Sequence, residues 1–313
     1  MITLLIAFLV FKRLIYKQAG HRWDGNPAFP YFSASDFKVS EERFSFRSRK
    51  WSLDGSRYFS GPGPYKALVV VFHGISAGRN AYMRSICEFA NRGYLVYAFD
   101  YTGSMRSEGD RCYGLAHVYN DVKAFYAFLD KDPKAQGLSR YSWGHSWGGY
   151  AALLSADPAY RVEKVVSLSG FIDETYEYSS FDKRLQNPIV LWLFRLHSRF
   201  VEKTPVTSAL PSLDESEARI LYLQGSKDDV VIPAFSGEIL KKRYGGRKNF
   251  SFLFLPDRDH NVDRSQAASD YVSGLLKQGL GKINGDPALA MDLYKATDFD
   301  PKVMKATFDF LAQ

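Results

Sequence analysis

Residues 140–149 read RYSWGHSWGG, and within them Gly144-His145-Ser146-Trp147-Gly148 fits the pattern G-x-S-x-G. That pattern places a serine on a sharp strand-to-helix turn. Gly144 and Gly148 flank it because side chains there would clash in so tight an elbow. The helix that follows presents its positive end to Ser146 and favours negative charge beside it. The pattern alone is only moderately selective, since Gly74-Ile75-Ser76-Ala77-Gly78 matches it as well. Position in the chain separates the two. Ser146 is preceded by two short β-branched runs of the kind found in buried parallel strands, 67–72 (ALVVVF) and 94–99 (YLVYAF). Ser76 has only a hairpin and an apolar tail upstream, so it is read as a loop serine.

Working outward, the chain alternates strands and helices. A helical face runs through Tyr82, Ile86, Phe89 and Ala90, another through Leu115, Val118, Val122, Phe125 and Leu129. Later strands are expected at 162–167, 220–223 and 250–255. This alternation predicts an α/β fold, a mostly parallel central sheet with helices on both faces. Residues 37–59 read as two or three antiparallel strands, with Asp54-Gly55 marking a tight turn. Together 37–170 and 220–281 make the core. Residues 171–219 are too long for a simple crossover and predict a helical cap insertion. Asp286-Pro287 and Asp300-Pro301 predict the starts of C-terminal helices within 282–313.

A serine needs a base, and the base an orienting carboxylate. Asp228 follows the 220–223 strand and His260 follows the 250–255 strand, so both reach the carboxyl edge of the sheet with Ser146. The order Ser146, then Asp228 or Asp229, then His260 predicts a catalytic triad. His73 is expected to pack in a turn and His145 beside the elbow, while His21, His117 and His197 are read as structural. Asp257 and Asp259 are expected to be solvated.

With these motifs the chain, over roughly 44–276, resembles the α/β-hydrolase superfamily, and within it the serine aminopeptidase and monoacylglycerol-lipase-like branch. The resemblance implies an α/β-hydrolase fold. His73-Gly74 is similar to the branch's HG turn, which implies an oxyanion hole of the Ile75 and Trp147 backbone amides. Gly225-Ser226-Lys227-Asp228 with Val230-Val231 resembles the G-x-x-D-x-V-V segment and selects Asp228 over Asp229. Asp100-Tyr101-Thr102-Gly103 resembles the branch's D-x-R-G turn but carries Thr102 where Arg is usual. The function expected is a serine esterase of lipid-like acyl esters. Amide or peptide hydrolysis, acyl transfer or thioester cleavage are the alternatives, with a non-catalytic binding protein as a further one. Cap aromatics, Tyr178, Trp192 and Phe194 among them, are candidates either to line the acyl pocket or to pack the cap's underside. Neither a metal-ligand cluster nor a nucleotide-binding motif occurs in the sequence, and no cofactor is expected.

The 313 residues carry 41 Lys+Arg and 34 Asp+Glu, a net charge of +7, with 16% aromatic residues. Two cysteines, Cys87 and Cys112, cannot build a disulfide framework and are expected to be reduced. Residues 1–66 hold eleven Lys+Arg and five Asp+Glu, a net +6, which leaves +1 for the rest. The basic excess therefore lies beside the apolar run 1–11 (MITLLIAFLVF) within the N-terminal segment 1–23. As a helix that run is about 17 Å long, against a hydrocarbon core of about 30 Å. Three readings follow: a shallow membrane anchor, the tail of a longer span, or a segment packed on the domain. The basic flank favours a membrane surface over nucleic acid, with the catalytic domain on the cytoplasmic side or in the cytoplasm.

Overall fold

The computed structural model describes residues 21–25, 29–75, 78–112, 114–174, 176, 187–197, 199, 208–280 and 290–313; the side chains of 190, 191, 194, 195 and 197 are not described. Among the described residues eight strands form one sheet: β1 (Ser40–Ser48), β2 (Trp51–Phe59), β3 (Leu68–Phe72), β4 (Leu95–Phe99), β5 (Arg140–His145), β6 (Val162–Leu168), β7 (Arg219–Gly225) and β8 (Phe250–Leu255), in the order β1-β2-β4-β3-β5-β6-β7-β8. The pairs β1–β2 and β2–β4 are antiparallel and all others are parallel. The chain runs from β3 out to β4 and then back across to β5. The nucleophile strand expected from the sequence thus has sheet on both sides, next to the point where strand order reverses. Crevices at such switch points, beyond the strands' carboxyl ends, are where open α/β sheets bind ligands.

Alternate residues feed opposite faces. Leu68, Val70 and Phe72 of β3 join one core cluster, and Val69 and Val71 join the other. The first cluster packs beneath α2 (Leu115–Leu129), α3 (Trp147–Leu154), α5 (Leu210–Glu215) and α6 (Gly237–Tyr244). The second packs beneath α1 (Met83–Asn91) and α9 (Pro301–Ala312). Helices α4 (Pro188–His197), α7 (Gln266–Gln278) and α8 (Leu293–Ala296) complete the set among the described residues. Much of the aromatic content is spent here: Phe44, Phe46, Tyr97, Phe99, Phe125 and Phe128 stack or meet edge-on.

Two expectations about local structure need correction or refinement. The hairpin turns at Arg49-Lys50, with Arg49 at φ 54°, and not at Asp54-Gly55, which lies inside β2 paired to Phe44 and Ser45. Gly55 is needed there for a different reason: a Cβ would stand 2.5 Å from the Phe44 ring. At the carboxyl end, Asp300 caps α9 through the amides of Lys302 and Val303, as its Asp-Pro pair predicts. Asp286-Pro287, the 1–11 run, Ser76 and Tyr178 lie outside the described residues. In the long excursion between β6 and β7, Ala209 and Leu213 are buried in the first core cluster, so its last turn of helix packs on the sheet. Cys87 and Cys112 are both buried and lie outside any disulfide. Among the described residues no helix is long and apolar enough to cross a membrane.

Candidate active site

Ser146 stands between β5 and α3 with φ 59° and ψ −119°, a conformation that costs an L-residue energy and is held by its surroundings. Its amide donates to the Leu168 carbonyl at 2.9 Å, anchoring the elbow to β6. The glycines are sterically required. A Cβ on Gly144 would lie 2.1 Å from the Gly148 carbonyl oxygen, and one on Gly148 would lie 2.0 Å from that of Phe72. Backbone this closely packed holds the serine in its strained conformation.

Strand register carries the other candidate groups to the same edge. Phe72 of β3 is paired with Gly144 of β5. Ile75 and Trp147 each lie three residues beyond that pair. Trp147 opens α3, where first-turn amides have no acceptor within the helix. Neither its amide nor that of Ile75 makes a hydrogen bond among the described residues. A Cβ on Gly74 would approach the Ser146 Cβ to 3.6 Å, so the HG turn lies directly against the elbow.

Gly225 of β7 is paired with Leu255 of β8. Asp228 lies three residues beyond the first and His260 five beyond the second. They meet: His260 Nδ1 lies 3.0 and 3.1 Å from the two oxygens of Asp228. With Nδ1–H donated to the carboxylate, Nε2 is the nitrogen left free. The Asp228 side chain is fully buried, while Asp229 next to it is exposed. Burial alone would raise the Asp228 pKa. The hydrogen bond and charge of His260, with the Val231 amide, outweigh that and hold it below the usual carboxylate range. The amides of Val230 and Val231 both donate to Oδ1. Gln224 braces the same turn by donating to the Val231 carbonyl at 2.6 Å.

His145 does more than pack beside the elbow. Its Nε2 lies 2.9 Å from the His260 carbonyl oxygen, which can only accept, so Nε2 carries the proton. Nδ1 must then accept, and it does so from the Tyr82 hydroxyl at 3.0 Å. The His145 and His260 rings are 4.7 Å apart. A chain from Tyr82 through His145 therefore holds the backbone of His260. The His73 reading agrees with the structure: Nδ1–H donates to the Gly74 carbonyl and Nε2 accepts from the Tyr101 amide, tying β3's turn to β4's. Thr102, in the place where Arg is usual, bonds Asp121 through its amide and hydroxyl. The guanidinium of this region comes instead from buried Arg79, just after the HG turn, paired with Asp100 and Asp54. Arg258, two residues before His260, pairs with Asp300 and donates to the Arg264 carbonyl, so the cap of the last helix also steadies the histidine loop.

Burial pushes His73 and His145 down to about 4 from an ordinary 6.5. Both are held neutral in the fold, whereas the unfolded chain protonates them below pH 6.5. The unfolded state then binds more protons, so stability is lost as pH falls from about 6.5 towards 4. At pH 5 this amounts to about 2 kcal/mol for each imidazole. Urea unfolding is expected to show a lower midpoint at pH 5 than at pH 7; a flat midpoint over that range would contradict buried neutral imidazoles.

Of the pocket candidates, Trp192 is 47% exposed on α4; the Phe194 side chain and Tyr178 lie outside the described residues. Asp257 forms an exposed pair with Lys227, as expected of a solvated loop carboxylate.

The sheet order, the strained serine elbow and the buried Asp228–His260 pair at one edge define an α/β-hydrolase. Residues 63–218 match the family described as serine aminopeptidase, S33. A caffeoylshikimate esterase of Arabidopsis thaliana is 27% identical over 135 residues, 42% of this chain and 40% of that protein. A monoglyceride lipase of Saccharomyces cerevisiae is 28% identical over 186 residues, 57% of this chain and 53% of that protein. The chain thus spans about half or less of the length of these relatives. An esterase of Pyrococcus furiosus shares the fold, with a TM-score of 0.60 at 18% identity over 82% of this chain and 97% of that one. The chain belongs to the serine aminopeptidase and monoacylglycerol-lipase-like branch of the α/β-hydrolases.

Proposed function

We propose that this protein is a serine hydrolase of carboxylic esters with lipid-like acyl groups. The observation that carries the reading is the buried Asp228–His260 pair, oriented with Nε2 free, at the sheet edge where the strained Ser146 stands. In this reading Ser146 Oγ attacks the acyl carbonyl and His260 Nε2 takes its proton. Asp228 holds the tautomer and stabilises the imidazolium. The oxyanion falls to the Ile75 and Trp147 amides, each such donor being worth roughly 3–4 kcal/mol. The C–O bond to the alcohol breaks as His260 returns the proton to the leaving oxygen. Water, deprotonated by the same imidazole, then releases the acid from Ser146.

A lipid-like substrate is supported by the monoglyceride lipase relative, by the nearly neutral charge after residue 66 and by the exposed Ile189 and Trp192 on α4. Membrane-surface attachment through the 1–23 segment belongs to the same reading. The test is labelling with a fluorophosphonate probe and mass-spectrometric mapping of the adduct. It is followed by glycerol and p-nitrophenyl esters of increasing acyl length, with aminoacyl amides alongside. An adduct on Ser146 and turnover rising with acyl length are expected. Preference for the amides would move the protein to the peptidase reading, and no adduct on folded protein would remove the enzyme.

Tyr82 enters this chemistry by position alone. Tyr82→Phe deletes the donor that fixes the His145 tautomer, a bond of about 1–1.5 kcal/mol, and kcat is expected to fall roughly tenfold. KM for a short ester should stay within about twofold, because Tyr82 acts through His145 on the His260 backbone. An unchanged kcat would remove the relay.

A further inference from the structure

Beside the catalytic loops, and on the α1 and α9 side of the sheet, lies a cleft of about 410 Å³ whose lining includes none of Ser146, Asp228 and His260. It is bounded by residues 23–25 and 29–32 of the N-terminal stretch, the start of α1, α7 and the chain around α8. Its walls are apolar, with Phe32, Met83, Val272 and Leu293 among them. Its charged members are Arg84 and Arg264, and no carboxylate lines it among the described residues.

The two arginines differ in their obligations. Arg84 is already engaged, donating to the Tyr294 carbonyl and the Thr297 hydroxyl and lying 3.8 Å from Asp298. Arg264 is only half-exposed, yet its guanidinium has no hydrogen bond and no ion pair among the described residues. A half-buried cation without a partner is unfavourable, and a planar fork of N–H donors suits a carboxylate or a phosphate. Pockets of this volume accept small organic ligands, with orientation set by the few polar groups on an apolar wall. Apolar walls and, among the described residues, a guanidinium without a partner and no acid beside it all describe one kind of occupant.

We propose that this cleft is a second binding site, for an aliphatic chain ending in an anionic head, the head on Arg264 and the tail among Phe32, Met83, Val272 and Leu293. The shared chemistry is that of a long-chain carboxylate or a singly alkylated phosphate. The site does not depend on turnover at Ser146, and its test reads binding alone.

Trp23 lines the cleft and provides the reporter. Full-length protein is titrated with dibromostearate below its micelle concentration, bromine quenching a tryptophan only at contact. Saturable quenching is expected, and its loss in Trp23→Phe places the chain in this cleft. Arg264→Gln should weaken binding at least tenfold, and Val272→Glu, which adds a like charge to the wall, should do the same. Dodecanoate and dodecyl phosphate should both displace the probe, the better competitor naming the physiological head; dodecanol should not. Quenching that persists in Trp23→Phe, affinity unchanged in both charge variants, or equal displacement by dodecanol would each overturn the site.

Discussion

Ser146→Ala is expected to abolish fluorophosphonate labelling and to lower kcat for a good ester substrate by about 10⁶-fold, with KM little changed. The size follows from what the variant keeps. Its Asp228–His260 pair remains, but with no Oγ the imidazole has no proton to accept, and the two-step acyl-enzyme route closes. Residual turnover should then be that of the oxyanion donors acting on bound ester, roughly 10³–10⁴ above water. Folding should be preserved, because the elbow depends on its glycines and on the Ser146 amide, which alanine retains. Ser76→Ala is the matched control. The sequence assigns Ser76 to a loop, and that variant should keep most activity; an inactive Ser76→Ala with an active Ser146→Ala would reverse the choice of nucleophile.

The contrast between what the sequence revealed and what it hid is instructive. Strand-borne groups were legible because a strand's end fixes where the next few residues go. Asp228 and His260 could be assigned to one sheet edge from spacing alone, and they lie 3.0 Å apart. The hairpin turns away from Asp54-Gly55 because Asp-Gly is a turn signal only when nothing larger needs the space. Here Gly55 makes room for the Phe44 ring, a cross-strand demand invisible in linear order. In linear order His145 reads as packing for a similar reason. Its two partners, Tyr82 and the His260 carbonyl, are 63 and 115 residues away, and only the folded register brings them to one imidazole. Arg79 is the same lesson in charge. Thr102 stands where the branch usually carries Arg, and the guanidinium of Arg79 arrives from the neighbouring turn and finds Asp100 there.

Asp228→Asn should lower kcat by about 10⁴-fold while leaving the protein folded, and Asp229→Asn should change it by less than about threefold. The asymmetry rests on burial and partners. The fully buried Asp228 side chain faces His260 Nδ1, and the neutral amide that replaces it can present an N–H there. That stabilises the tautomer with the proton on Nε2, which can no longer act as base; the equivalent change in a serine protease triad costs about 10⁴. Asp229 is exposed and makes no bond to the imidazole, so its charge is screened by solvent. The pH profile separates a triad role from a structural one. If Asp228 only braced its loop through Val230 and Val231, Asn would preserve those bonds with its carbonyl oxygen and activity would survive at every pH. In the triad reading the loss is present at neutral pH and shrinks as rising hydroxide takes over deprotonation of Ser146. Equal losses from Asp228→Asn and Asp229→Asn, or a larger loss from the second, would reassign the acid.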